Sequence, residues 1–323
     1  MVDASLNLVD SVQIVELGVR DGLQDLSNAV DALVRVNLIE LLETAGLSAI
    51  EVGAFSSTPN KPSTVSPLPV LHALGQAPAN RTRSVLVPHL KALDQAHAAG
   101  CRDITVSTAA SCTFCWTTLG CGIEESLYRI AQIIEHARPL GITVRARVST
   151  AIDCPFEGLI APRTVAAIVA RLQELGCRQI CLDDTTGSGA PGSVGMLLRT
   201  CLMETPMHVL ACHFHDTFGL ANANVMEALE QGIRAFDCSI SGLGGNPYFP
   251  GAAGNLATEE LAYLLSGLGM DCGLNLDGLL LASEYIDYML ERRTESRVRR
   301  ALRARKIPRN APEPHDRRQG ARR

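Results

Sequence analysis

The chain contains no run of eighteen or so uninterrupted apolar residues, so a membrane-spanning helix is not expected. It has no surplus of positive charge either. Lys and Arg number 29 against 34 Asp and Glu, a net charge of −5, which argues against nucleic acid as the main partner. The first residues, Met1-Val2-Asp3-Ala4-Ser5-Leu6, offer neither a basic n-region nor a long apolar h-region, so no secretory signal is expected. A disulfide framework is also missing: the eleven cysteines are odd in number and scattered through apparent strands and helices. That usage suits free thiols in a reducing cytoplasm. Finally, no Gly-x-Gly-x-x-Gly follows the first candidate strand, which counts against an open doubly wound sheet built to hold a dinucleotide.

What is present is apolar content and rhythm. Hydrophobic residues make up 46% and charged residues 20% of 323, enough for a large core and too little charge for general disorder. Short Val/Ile/Leu runs predict strands at Gln13–Leu17, Ala49–Val52, Ser84–Val87, Asp103–Ser107, Thr143–Val148, Gln179–Leu182, Met207–His213 and Ala235–Ser239. Helical patterns lie between them, at Asn28–Ala45, Leu90–Ala99, Ile123–His136, Pro162–Leu175, Gly192–Glu204 and Leu220–Gln231. Several end in Gly, which tolerates the left-handed conformation that stops a helix. Eight strands alternating with helices predict a parallel sheet closed into a (β/α)8 barrel, a TIM barrel. One domain is expected over 8–304, with Leu276–Ala304 as one or two extra C-terminal helices that pack on the barrel or support a dimer. The Pro- and Arg-rich tail over 305–323 has almost nothing to bury and is expected to be disordered.

The pentapeptide His213-Phe214-His215-Asp216-Thr217 closes the seventh strand. Alternate strand residues point the same way, so the two imidazoles share a face at a spacing of roughly 7 Å. They can converge on one divalent cation, or they can be two hydrogen-bonded histidines at a strand end. In a barrel of this kind the chemistry gathers where strands end, so the polar residues there are the candidates. The first strand leads into Gly18-Val19-Arg20-Asp21-Gly22-Leu23-Gln24. The second carries Glu51 in an apolar run, a buried carboxylate that needs a partner. The sixth leads into Asp183-Asp184-Thr185-Thr186-Gly187. After the eighth come Gly242-Leu243-Gly244-Gly245-Asn246-Pro247-Tyr248 and the glycine-rich run from Gly251 to Glu260 around Asn255, a loop able to approach or cover a ligand. Asp21, His213 and His215 with an amide oxygen from Asn255 make a mixed O/N donor set that needs no cysteine, which suits Mg²⁺ or Mn²⁺ better than a closed zinc site.

These stretches, with Cys154-Pro155-Phe156-Glu157-Gly158, resemble the 3-hydroxy-3-methylglutaryl-CoA lyase family from about Val12 to about Arg299. The resemblance implies a retro-Claisen cleavage of a short branched 3-hydroxyacyl-CoA into acetyl-CoA and a keto acid. Citramalyl-CoA, giving pyruvate, is the alternative substrate, since one methylene shifts discrimination by only ~1–3 kcal/mol. Condensation in the reverse direction and a silent CoA-ester-binding barrel are the other readings. By resemblance Asp21, His213, His215 and Asn255 hold the cation. Arg20 steadies the enolate oxygen, and Glu51 and Asp21 belong to the catalytic shell. His213 also moves a proton, and Gln24, Thr185 and Asn246 contact substrate. The protein is then expected to be a cytoplasmic homodimer taking an acyl-CoA. Two places depart from the family pattern. Asn246 replaces a loop cysteine thought to move a proton, leaving water, His213 or a thiol from the Cys112–Cys115 loop for that task. Cys112-Thr113-Phe114-Cys115-Trp116-Thr117-Thr118 stands where the family has a polar loop. Its C-x-x-C reads as two ordinary thiols.

Overall fold

A computed structural model describes residues 11–24, 30–55, 66–245, 248, 254–293 and 296–306. Eight parallel strands close into a barrel in the order β1-β10-β9-β8-β5-β4-β3-β2. They are β1 (Gln13–Glu16), β2 (Ala49–Ala54), β3 (Thr82–Leu86), β4 (Asp103–Ala109), β5 (Thr143–Ser149), β8 (Gln179–Asp184), β9 (Leu210–Phe214) and β10 (Ala235–Cys238). Between β5 and β8 lies a two-stranded antiparallel hairpin, β6 (Asp153–Cys154) and β7 (Gly158–Leu159). The helices of the outer ring are α2 (Ala32–Thr44), α4 (Leu90–Ala98), α6 (Ile123–Ala137), α7 (Pro162–Leu175), α8 (Pro191–Cys201), α9 (Ala221–Glu230) and α10 (Thr258–Gly267). Shorter helices at strand ends are α1 (Asp21–Gln24), α3 (Leu68–Leu74) and α5 (Cys112–Leu119).

The (β/α)8 barrel is therefore as expected, with local differences. Expected as a strand from Met207, the seventh strand begins at Leu210, because Pro206 starts a 3-10 turn over Met207–Val209 and the ladder to β8 opens at Ile180↔Leu210. The Cys112–Cys115 segment, expected as a loop, is the helix α5. Ser111 caps it by accepting from the Phe114 amide, and Gly120 ends it in the left-handed region at φ 67. The run expected as glycine-rich loop up to Glu260 turns helical at Thr258, as α10. The C-terminal extension resolves into two helices, α11 (Leu276–Met289), which packs on α2, and α12 (Arg297–Lys306). The helix thus continues past the expected start of the tail at Arg305, while residues 307–323 lie outside the described part.

Alternation along each strand sorts side chains into two sets. The outward set is apolar: Ile14, Ile50, Val85, Ile104, Val144, Ile180, Leu210 and Phe236 all lie in one core cluster with the helices. Inward sit Val15, Leu17 and Ala49 in one small cluster and Cys181, Ala211 and Ala235 in another. Other inward positions carry charge. Arg145 on β5 makes a fork to both carboxylate oxygens of Asp237 on β10 at 2.7 and 2.5 Å, and Arg147 reaches Asp183 on β8 and Asp237. A fork between planar guanidinium and carboxylate is among the stronger side-chain pairings, and burial makes each partner necessary to the other.

Candidate active site

The residues singled out at the ends of β1, β2 and β9 come together at the C-terminal rim. Ligand atoms of Asp21, His213 and His215 all lie within 4.8 Å of one another. His213 and His215 face inward as alternate residues, their rings edge to face with centroids 5.0 Å apart. His213 Nδ1 is 3.2 Å from the Asp237 carbonyl oxygen, which leaves Nε2 buried and without a hydrogen-bond partner among the described residues. Asn255 pairs with His215 in an isolated bridge. Its Nδ2 donates to Asp21 Oδ2 and to the Leu243 carbonyl, both at 2.8 Å, so its buried Oδ1 is left facing no partner. Gly254, just before it, must be glycine: a Cβ there would come within 1.8 Å of the Gly242 carbonyl oxygen.

Arg20, 7% exposed, is gripped by two carboxylates. Its Nε donates to Glu51 Oε1 and its Nη1 donates to Asp21 Oδ1 at 2.6 Å. Its Nη2 and the second oxygen of Glu51 are buried with no partner among the described residues. Leaving such groups unpaired is costly, so both belong to a site that something else completes. Gln24 Nε2 reaches Asp21 Oδ1 at 3.3 Å. Thr185 is buried, and its Oγ1 accepts from the Thr150 amide at 2.6 Å, binding the ends of β5 and β8 together. Asn246 lies outside the described residues.

The electrostatics fit a site prepared for a cation. Burial alone would raise the Asp21 carboxyl, but the guanidiniums of Arg20 and Arg147 hold it well below the usual carboxylate range. Burial, with the positive charge of Arg147, pushes His213 down from 6.5 to about 3, so the imidazole is neutral with its lone pair available. An ionised carboxylate, two imidazole nitrogens and the orphaned Asn255 oxygen form a donor set of the kind that holds Mg²⁺ or Mn²⁺.

What the sequence reading missed is the charge behind this rim: Arg147 and Asp237, and the pairing of Asp183 with Arg147. It also missed an aromatic contact across the mouth. Tyr248, after β10, packs against Phe114 of α5 and against Phe156 of the hairpin, each with ring centroids 5.9 Å apart. The thiols are quiet. All eleven cysteines are free, Cys112 is exposed, and burial pushes the Cys115 thiol up to about 11.

Converging ionisable groups at the C-terminal rim of a closed parallel barrel are the arrangement of a (β/α)8 enzyme. The chain belongs to the HMGL-like family, whose model matches residues 11–286. It is 43% identical over 290 residues to a mitochondrial hydroxymethylglutaryl-CoA lyase of Bos taurus, covering 90% of this chain and 89% of that one. The crystal structure of a hydroxymethylglutaryl-CoA lyase from Pseudomonas aeruginosa superimposes with TM-score 0.88 at 38% identity, over 93% of this chain and all of that one. An HMG-CoA lyase from A. baumannii, solved with coenzyme A and 3-methylmalate, superimposes with TM-score 0.85 at 30% identity, over 95% and 98% of the two chains. The protein is a carbon–carbon lyase that releases acetyl-CoA.

Proposed function

We propose that the protein cleaves 3-hydroxy-3-methylglutaryl-CoA, or a close homologue of it, into acetyl-CoA and a keto acid. The observation that carries this reading is the pairing of the Asp21–His213–His215 cluster with the spare Nη2 of Arg20. Asp21, His213, His215 and Asn255 would hold a divalent cation, Mg²⁺ or Mn²⁺, which when bound acts as a Lewis acid on a substrate oxygen. Arg20 supplies the donor for the thioester oxygen, where negative charge appears as the Cα–Cβ bond breaks. Glu51 and Asp21 fix the guanidinium so that no reorganisation is needed at that moment, and one such donor typically contributes ~3–4 kcal/mol to the barrier. Glu51 Oε2 stands beside it as an unpartnered acceptor for the substrate hydroxyl. Burial beside the Arg147 guanidinium disfavours the imidazolium of His213, which suits it to ligate a cation.

Gln24 and Asn246 complete the substrate contacts in this reading, and Thr185 supports them from behind. A cytoplasmic homodimer remains the proposed setting. Free thiols throughout agree with a reducing compartment, although related lyases carry names from both mitochondria and cytoplasm. No helix among the described residues is long and apolar enough to cross a membrane. The test is acetyl-CoA release by purified protein with Mg²⁺ or Mn²⁺, comparing 3-hydroxy-3-methylglutaryl-CoA with citramalyl-CoA. The A. baumannii protein's 3-methylmalate, a short hydroxydiacid, is the reason for including the shorter thioester. Release from neither, in protein shown to bind the cation, would leave a barrel that binds CoA esters without turning them over.

A further inference from the structure

Arg147 lies in the barrel interior next to the site, yet none of the roles above uses it. It is 6% exposed and held on two sides. Nε and Nη2 donate to Asp183 Oδ2 at 3.0 and 2.9 Å, and Nη1 donates to Asp237 Oδ2 at 3.2 Å. A guanidinium carries five N–H groups, so one on Nη1 and one on Nη2 remain without a bond among the described residues. Its neighbours on the same wall are hydroxyls. Ser107 of β4 is in register with Arg147 and therefore faces inward with it, while Ser149 is inward two residues further along β5. Both serines are part-exposed.

Most acceptors on the wall are engaged, the exception being Asp183 Oδ1, which is buried without a hydrogen-bond partner among the described residues. Both oxygens of Asp237 take arginine, one oxygen of Asp183 does so, and the Cys181 thiol lies within bonding reach of Asp183. The wall therefore has donors to spare and few free acceptors. An apolar ligand would leave those donors buried and unpaired, whereas a carboxylate would satisfy them with charge-assisted bonds. The positive charge of Arg147 also acts directly on Asp21 and His213, so the wall adjoins the cation cluster.

We infer that Arg147, flanked by Ser107 and Ser149, is the specificity-determining group that receives the carboxylate end of the acyl chain, the end that leaves as the keto acid. The inference rests on the lyase reading for the identity of that chain, but not for the existence of the site. Asp183 and Asp237 hold the guanidinium in place, so the wall selects short acyl groups ending in carboxylate over uncharged ones.

The experiment is calorimetric titration of full-length, Mg²⁺-loaded protein with free 3-hydroxy-3-methylglutarate and, separately, with coenzyme A. Arg147→Met combined with Asp183→Asn removes both partners of the pair, leaving Asp237 to Arg145. Acid binding should weaken by about tenfold to a hundredfold, the factor that one or two charge-assisted bonds carry, with coenzyme A affinity unchanged. Ser107→Ala, which leaves the ion pairs intact, should weaken acid binding by a few-fold and guards against a folding defect in the double variant. Unchanged acid affinity in both variants overturns the assignment, as does equal loss of acid and coenzyme A in Ser107→Ala, or wild-type protein that ignores the acid. If the acid binds through Arg147 but no thioester is cleaved, the carboxylate site stands and the lyase reading falls.

Discussion

The two faces of the same eight strands follow opposite rules. Outward, Ile50, Ile104, Ile180 and Leu210 are 0–1% exposed and belong to the apolar core under the helices. Inward, at the same depth, Arg147, Asp183, Asp237 and Glu51 are nearly as buried and charged. Burial alone thus does not decide composition: the outer face is stabilised by area removed from water, the inner one by each charge having a partner. The division of labour is that the outer face holds the barrel and the inner face works. A core of ions tolerates loss of one partner badly, so the working face is the more fragile of the two.

The sharpest way to separate the faces is to remove a candidate ligand. His215→Ala should abolish tight Mn²⁺ binding in calorimetry, while the melting temperature of metal-free protein stays near wild type. Retained stoichiometric Mn²⁺ binding would exclude His215 from the donor set. Next in size is Arg20→Gln, expected to lower kcat by roughly a hundredfold or more with little change in KM, because its partner charge appears in the transition state. A variant altered only in KM would mean that Arg20 merely holds substrate.

On the outer face Ile104→Val should do the reverse. It should cost about 0.5–1.5 kcal/mol in denaturant unfolding and leave kcat alone. A changed rate would show that the faces are not independent.

An effect of similar size is expected with pH. Burial raises Glu16 and Asp184 to about 7 each, so between their unfolded and folded values the native protein holds more protons than the unfolded chain. Stability therefore falls as pH rises. The depressed His213 acts in the opposite sense only below its ordinary 6.5, which leaves 6.5 to 8 as a clean window. Across it stability should drop by roughly 1 kcal/mol in total. A melting temperature that is flat or rises over that range would mean these carboxyls are not protonated in the fold.

The outer face was also the legible one. Alternating Val/Ile/Leu runs and helix-stopping glycines predict the barrel and its order, because the outer face is written in local sequence. Asp21, His213 and His215 were legible for a different reason: each lies at or just after the C-terminal end of a strand, and strand ends of a barrel converge. Arg147 was not. In Thr143–Ser149 the pattern of arginine between small apolar residues looks like an ordinary strand with one wet face. Only closure of the sheet turns that face inward, and its carboxylate partners are 36 and 90 residues away. The available signal was charge alternating in a strand that helices on both sides oblige to be covered. Helix α5 was missed because Cys-Thr-Phe-Cys-Trp-Thr-Thr favours strand or loop by composition, and only Ser111 and Gly120 marked its ends.

One bond at the far end of the chain links these regions. Arg297, which opens α12, donates to Asp216 and to Glu260 of α10, and Asp216 is the residue directly after His215. Asp216 in turn caps α9 by accepting from the Ala221 amide at 3.1 Å. The last helix is thus a guy-rope staked beside the imidazoles, although it adds no strand to the barrel. For anyone shortening or fusing the gene product, α12 is therefore a helix to keep. A stop codon before Arg297 would spare the barrel and remove the pairing of Arg297 with Asp216 beside the histidines.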